Sequence, residues 1–582
     1  MKRTQFVLLA LLTLLHIGAN ALWLSHDEGV QFTDAAYHYS QVIDMRHALQ
    51  AGTEGLATLP ENNEKQRYGS LWYAISALIS LVTGPEANSV LIGVSVLLWP
   101  LLLWGAWRLG AQLAPPERRE PAGLLSAALC GFIPGIFNYS RTVVLDLPLA
   151  IAVLWSLVLL LELQSSHRRA EDPSRLRWGL AAVVLVALSI KINAAAFLLG
   201  PALAVFHPGV QRLWQTNRRQ LLQAGLIIGL VLGVLGLWLF TGSRGPALRQ
   251  TLAGATWPGT FVAYLLEGRI STFPFRHYIS SVWGLSWDMT YYTVLQSFTP
   301  LLAVPVLGSY LWFFGRRRGC KDEAARAQRK VMFGWFILPV LGLMLGLRGG
   351  IYDERYLIPL LPQAAALIAV TVVELGRARL RLGFGAALVA IFGLNFGIVS
   401  FNLFPNQRPA LCFKLPGWTS TDRVNDGLWT CVAYSEYNFM DRPSHPSRTD
   451  WSLDAAEATL RPERDRLGRP LRAVFLDDLY EFFYRAFQRD LLREYLYRHE
   501  DMLLVTQCWD EEWAQAVWGS VDGLKTTIAQ ADVVLVREGL PFRSEEEFNR
   551  GHRCSMFDGE GFSSQGKVPL NDGTLLNIYF KR

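Results

Sequence analysis

Charge is scarce in this sequence. Asp, Glu, Lys and Arg make up 18% of its 582 residues, where a soluble domain ordinarily carries about 25%. A disordered chain needs the reverse balance, so disorder is excluded. Cysteine is sparse as well, six residues in all, which excludes a compact disulfide-rich secreted domain. Glycine, 49 residues without a three-residue period, excludes collagen. Nucleotide-binding fingerprints are missing, and Gly559-Glu560-Gly561 is too weak a match to use. No His/Cys spacing of a zinc site occurs.

What abounds is apolar. Hydrophobic residues make up 51% of the chain, with 20 Trp and 31 Phe, and the mean hydropathy is +0.21. Length alone would fit roughly three or four ordinary domains. The apolar runs argue instead for one large membrane domain and a soluble remainder.

A hydrocarbon core of about 30 Å requires roughly 17 to 25 mostly apolar residues. Such runs lie at 6–24, 90–107, 122–137, 147–161, 178–206, 221–240, 298–314, 331–347, 357–373 and 384–404. The run 178–206 is too long for one span and is interrupted by Lys191 and Asn193, which predicts two short helices meeting near a membrane face. Basic residues cluster between the runs: Lys2 and Arg3; Arg108, Arg118 and Arg119; Arg168, Arg169, Arg175 and Arg177; Arg212, Arg218 and Arg219; the dense stretch from Arg316 to Lys330; and Arg377, Arg379 and Arg381. All fall on one side only if 178–206 is a hairpin, and the positive-inside rule makes that side the cytoplasm. The net charge of +6 is therefore a topology signal, and no nucleic-acid partner is expected.

The expected architecture is a polytopic α-helical membrane protein of about eleven spans. Residues 1–404 form the transmembrane domain and 405–582 an extracytoplasmic (periplasmic) α/β domain, with the N-terminus cytoplasmic and the protein in the inner (plasma) membrane. Ala19-Asn20-Ala21 imitates a signal-peptide cleavage site, but the length of the apolar run favours a retained first span. Cys412, Cys431, Cys508 and Cys554 lie in the tail, where an oxidising compartment permits pairing, Cys412 with Cys431 among the options. In the same tail, short apolar runs at 473–476, 502–506 and 533–536 alternate with helical patterns at 479–499 and 511–529, which predicts a small parallel-rich sheet. Asp477-Asp478 follows the first of these strands, where such sheets often bind ligands, or where acids simply favour a helix N-terminus.

This topology gathers polar residues at the outer face: Asp27 and Glu28, Asp34, His38, Arg141, Asp146, Lys191, and Arg355 with Tyr356. Charges at a membrane boundary pair with one another or serve a site. Two acids with a lysine and an arginine suit a pocket that handles an anionic group beside a proton acceptor.

The ordered segments Asp34-Ala35-Ala36-Tyr37-His38-Tyr39, Arg67-Tyr68-Gly69-Ser70-Leu71-Trp72-Tyr73, Ser140-Arg141-Thr142-Val143-Val144-Leu145-Asp146-Leu147-Pro148-Leu149, Leu188-Ser189-Ile190-Lys191 and Glu354-Arg355-Tyr356-Leu357-Ile358-Pro359 resemble the GT-C glycosyltransferases of the protein O-mannosyltransferase and aminoarabinose-transferase kind. The resemblance runs over roughly residues 1–404. It implies a GT-C-like fold and transfer of a sugar from a polyprenyl-phosphate carrier to a glycan, lipid or protein acceptor outside the membrane, with inversion at the anomeric carbon. It also implies Asp34 as the acid that activates the acceptor, Asp146 as the second acid, and Lys191, Arg355 and Tyr356 near the donor phosphate. Many members carry an adjacent acidic pair in the first outer loop. Here Asp34 stands alone and Asp27-Glu28 lies upstream, so either could be the base, with Asp34 preferred. Asp27, Glu28, His38 and Arg141 are secondary candidates.

Plainer roles stand beside these. Asp34 also fits as a cap of the helix starting at Ala35, and Asp146 as the cap of a span with Pro148 in its first turn. Arg355 also fits as a partner of Asp353 or Glu354 or as a headgroup anchor, and Lys191 fits as an anchor. Carboxylates at an outer face suit Mg²⁺ or Mn²⁺, yet the expectation is chemistry with no required metal or other cofactor. The aromatic-rich stretch 242–297 fits interfacial anchoring or a lid over the donor. Two other classes remain in view, a transporter or flippase of a lipid-linked glycan and a non-catalytic assembly subunit. Transporters favour internal repeats and mid-membrane polar sites, neither of which is read here.

Overall fold

The computed structural model describes residues 3–27, 33–53, 71–168, 174–191, 194–195, 197–204, 302–315, 323–346, 354–401, 412–414, 429–431, 453–477, 501–507, 521–538, 561–569 and 575–582. Expected elements at 221–240, 242–297 and 479–499 lie outside these residues, as does Glu28.

The described residues up to Phe401 are mostly helical. Helix α1 spans Arg3–Ser25 and α2 spans Thr33–Gln50. They are followed by α3 (Leu71–Thr83), α4 (Ala87–Leu113), α5 (Arg119–Gly131), α6 (Pro134–Tyr139), α7 (Asp146–Arg168) and α8 (Ser174–Ile190). Further on come α9 (Leu302–Gly315), α10 (Glu323–Gly346), the 3-10 turn Glu354–Leu360, α11 (Leu361–Val373) and α12 (Ala378–Phe401). Among the described residues four helices are long and apolar enough to cross a membrane, Arg3–Ser25, Ala87–Leu113, Asp146–Ser166 and Ala378–Ile398.

Helix α1 illustrates why these are membrane helices. Leu9, His16, Asn20, Trp23 and Leu24 are buried, while Phe6, Leu11, Leu14, Leu15 and Leu22 are each more than half exposed. An apolar outward face paired with a polar-dotted inward one inverts the pattern of a soluble helix. Helix α7 is more central, with 83% of its apolar window buried.

Two spans differ from expectation for local reasons. The run 122–137 is split into α5 and α6, because Pro134 lacks an N–H and starts a new helix at its first position. The run 357–373 opens as a 3-10 turn with Pro359 inside it before α11 begins. The long run 178–206 breaks at Lys191, where α8 has ended. Helix α3 is apolar but has only 13 residues, too few for an unaided crossing.

Packing inside the bundle relies on small residues and on polar side chains that reach foreign backbone. A Cβ on Gly110 would meet the Ala122 carbonyl oxygen at 2.8 Å, so α4 and α5 approach backbone to backbone. Trp155 Nε1 donates to Leu101 O at 3.0 Å and Ser126 Oγ to Ala106 O at 2.8 Å. Tyr310 OH donates to Gln363 Oε1 at 2.9 Å, and Gln363 Nε2 passes the chain on to Met332 O at 2.7 Å.

Among the described residues, the C-terminal part contains β1 (Cys412–Lys414) paired antiparallel with β2 (Trp429–Cys431), and a five-stranded sheet. The sheet is built from β3 (Arg472–Asp477), β4 (Asp501–Gln507), β5 (Val533–Glu538), β6 (Phe562–Pro569) and β7 (Leu575–Lys581), in the order β4-β3-β5-β7-β6. Strand β3 runs parallel to both β4 and β5, whereas β7 is antiparallel to β5 and β6. Helix α13 (Leu453–Leu467) precedes β3 in sequence, and α14 (Val521–Gln530) lies between β4 and β5. Ala456 and Leu460 of α13 join Ala473, Phe475, Val533, Leu535 and Ile578 in one core.

At the sheet end, Arg469 grips the Asp532 carboxylate with two bonds of 2.7 and 3.0 Å, and the Arg472 N–H donates to it at 2.8 Å. Burial pushes the Asp532 carboxyl up, but these donors and the two arginine charges outweigh burial and hold it below the ordinary value.

Candidate functional site

Helix α7 opens at Asp146 and carries Pro148 in its first turn, a position that suits proline because the first helical N–H groups have no partner in the helix. The carboxylate thus sits at the positive end of a long helix. Helix α8 ends at Ile190 and Lys191 follows it, its N–H reaching Ala187 O at 3.1 Å while its own carbonyl accepts from the Ala194 N–H at 3.0 Å. The two helices pack together, and their ends meet: Lys191 Nζ lies 2.9 Å from Asp146 Oδ1, with the side chains 7% and 3% exposed. Among the described residues, Asp146 Oδ2 is buried with no hydrogen-bond partner. The structure therefore joins two of the sequence-derived site residues in a buried, charged contact.

The remaining candidates fall on nearby elements or elsewhere. Arg355 and Tyr356 belong to the 3-10 turn Glu354–Leu360, which packs against α7. Asp34 is in the first turn of α2; that helix packs on α3, and α3 in turn touches α8. His38 is buried, with Nδ1 2.7 Å from Tyr73 OH, tying α2 to α3. Asp27 is buried too, and its backbone carbonyl accepts from Asn88 Nδ2 at 2.7 Å.

Arg141 has a different setting from the one its sequence neighbourhood implied. It is 1% exposed, deep among helices. Its Nε donates to Asn20 Oδ1 at 3.1 Å and Nη2 to Ser400 Oγ at 3.0 Å. The guanidinium lies 5.0 Å from the Trp23 ring centre and 5.3 Å from that of Phe137, within cation–π range. Asn20 Nδ2 completes the network by donating to Ser140 Oγ at 2.6 Å and Ser95 Oγ at 3.2 Å. This cluster anchors the segment that leads into Asp146 to α1, α4 and α12.

Asn20, Ser95, Ser140 and Ser400 are not among the site residues that the sequence suggests. The available signal was the pair His16 and Asn20 on one face of an apolar helix. His16 stacks on Trp99 with ring centres 4.4 Å apart, filling space against α4.

Residues 3–264 match the model of a family of unknown function, DUF6541. No curated protein matches the chain. Among solved structures, the chain is similar to the archaeal oligosaccharyltransferase AglB from Archaeoglobus fulgidus in complex with an inhibitory peptide and a dolichol-phosphate. That likeness has 9% identity, covers 99% of this chain and 74% of that one, and has a TM-score of 0.49. It is also similar to ArnT from Cupriavidus metallidurans bound to undecaprenyl phosphate, at 12% identity over 99% of this chain and 98% of that one, with a TM-score of 0.48.

Proposed function

We propose that this protein is a membrane glycosyltransferase of the GT-C kind, which moves a sugar from a polyprenyl-phosphate carrier to an acceptor on the extracytoplasmic side. The observation that carries this reading is the buried Lys191–Asp146 contact, with its unused carboxylate oxygen. Intramembrane charges are costly, and where they occur they pair or serve a site. This pair sits where two helices end, on sequence segments that resemble the superfamily's donor region.

The chemistry has three requirements. The acceptor oxygen or nitrogen must give up a proton as it attacks the anomeric carbon, and Asp34 is the carboxylate assigned to take it. As the bond from that carbon to the phosphate oxygen breaks, the leaving polyprenyl phosphate gathers negative charge. Lys191, Arg355 and Tyr356 are assigned to hold that charge by charge-assisted hydrogen bonds and the tyrosine hydroxyl. Positive character develops on the sugar, and Asp146 supplies the anionic neighbour. A single in-line displacement inverts the anomeric centre. No step in this scheme needs a metal.

Residues 405–582 are assigned as a separate extracytoplasmic domain that holds or selects the acceptor, and the N-terminus is assigned to the cytoplasm. Flippase activity, the alternative, requires no proton acceptor at residue 34.

Mass analysis of envelope lipids and glycans from a strain lacking the protein tests the reading. A missing sugar substituent is expected, restored by the wild-type gene and not by D34N. An unchanged envelope profile contradicts a transferase, and restoration by D34N contradicts its proposed base.

A further inference from the structure

Lys191 and Asp146 hold each other where either charge alone would be costly. The pairing is lopsided. Oδ1 of Asp146 takes the ammonium at 2.9 Å, while Oδ2 is buried with no hydrogen-bond partner among the described residues. An ionised carboxylate offers about four acceptor positions, and buried oxygens are ordinarily satisfied. Asp146 is therefore held well below its bonding capacity. Lys191 has already left its helix, and a flexible four-carbon stem lets its ammonium change partner without unwinding a turn.

We propose that Asp146 is a resident anion for Lys191. In the resting protein it occupies the ammonium that the donor's phosphate takes over, and it is released when a polyprenyl phosphate binds. This rests on the reading of Lys191 as a donor-phosphate ligand. The exchange makes and breaks only ionic and hydrogen bonds. Phosphate offers more acceptor oxygens than one carboxylate, so it competes successfully for the ammonium. Lys191 is thus compensated both before and after binding. Asp146, freed, presents both oxygens to the sugar that arrives with the phosphate. An empty site in this scheme keeps its cation neutralised, and only a phosphate-bearing ligand uncovers the acid.

The sign of one substitution separates this scheme from a structural salt bridge. Undecaprenyl phosphate is titrated onto the full-length protein in phosphatidylcholine nanodiscs. Removing the competing charge with D146N is expected to tighten binding about tenfold, and K191Q to weaken it about tenfold or more. The double variant is expected to bind no more tightly than K191Q alone. If D146N binds no more tightly than the wild type while K191Q binds weakly, the resident-anion proposal is overturned and Lys191 remains a phosphate ligand. If K191Q binds as well as the wild type, the donor-site reading itself falls, and the proposal with it. Should D146N fail to fold, difference infrared spectra of the wild-type protein decide. Added undecaprenyl phosphate is expected to shift a carboxylate stretch that does not shift in K191Q, and an unshifted band overturns the proposal.

Discussion

Two ion pairs in this chain use the same kind of chemistry in opposite surroundings. Lys191–Asp146 lies inside the helical bundle with 7% and 3% of its side chains exposed, whereas Arg469–Asp532, at the edge of the tail sheet, is 44% and 18% exposed. The exposed pair is the better bonded of the two. Asp532 accepts two bonds from Arg469 and one from the Arg472 N–H, while Asp146 leaves one oxygen without a partner. A stability-driven fold would be expected to distribute its donors the other way, because an unmet acceptor costs most where water is absent. The well-bonded pair fits a structural role, and the under-bonded pair fits the ligand exchange proposed above.

The largest effects should come from the buried pair. K191M leaves the Asp146 charge alone in the bundle and is expected to cost about 3–5 kcal/mol of stability, read as a fall in detergent-solubilised unfolding temperature. K191M/D146L together should recover most of that loss, because apolar replacement of a whole buried pair is close to neutral. If the double variant is as unstable as the single one, the pair is not an isolated unit.

Next is the polar cluster behind Asp146. N20A removes the acceptor of Arg141 Nε and the donor to Ser140 and Ser95. It should cost about 2–3 kcal/mol and lower the turnover of sugar transfer more than its donor affinity. An unchanged melting temperature would mean that this cluster bears little of the packing.

The tail offers a middle case. The β1–β2 register sets Cys412 directly opposite Cys431, and antiparallel partners of this kind sit at Cα distances that a disulfide spans. Such a bond would contribute about 2–4 kcal/mol. A mass shift of two hydrogens on reduction, lost in C412S, is the expected result.

The smallest effect belongs to Asp532. D532N should cost about 1 kcal/mol, since half-exposed pairs are screened by water and salt. Its folded carboxyl lies below the ordinary value, so its contribution is complete above an unfolded value of about 3.9. That contribution is lost as pH falls through the folded value. Acid unfolding between about pH 4 and 2 should therefore be less steep in D532N than in the wild type.

The two regions also differed in how far the sequence revealed them. Long apolar runs mark 6–24, 90–107, 147–161 and 384–404, and helices occupy them, because twenty apolar residues have few other options. Helix α3, at 13 residues, escaped that filter. The split at Pro134 was readable from the proline alone but was masked by the apolar residues around it. In the tail, β3, β4 and β5 follow from short aliphatic runs, whereas β6 (FSSQGKVP) has too few apolar residues to signal a strand and is held by its neighbour β7. For the site, sequence supplied the residue types but not the contacts. Asp146 and Lys191 are 45 positions apart, and Arg141 and Asn20 are 121 apart. Pairings at that range depend on how helices pack, which no local pattern records.

The most direct test is sugar transfer itself. Membranes holding wild-type, D34N or D146N protein are given labelled polyprenyl-phosphate sugars, and label reaching acceptor is measured over time. Transfer by the wild type is expected, with a loss of about a hundredfold or more in each variant at wild-type protein levels. Undiminished transfer by both variants would contradict the proposed roles of Asp34 and Asp146.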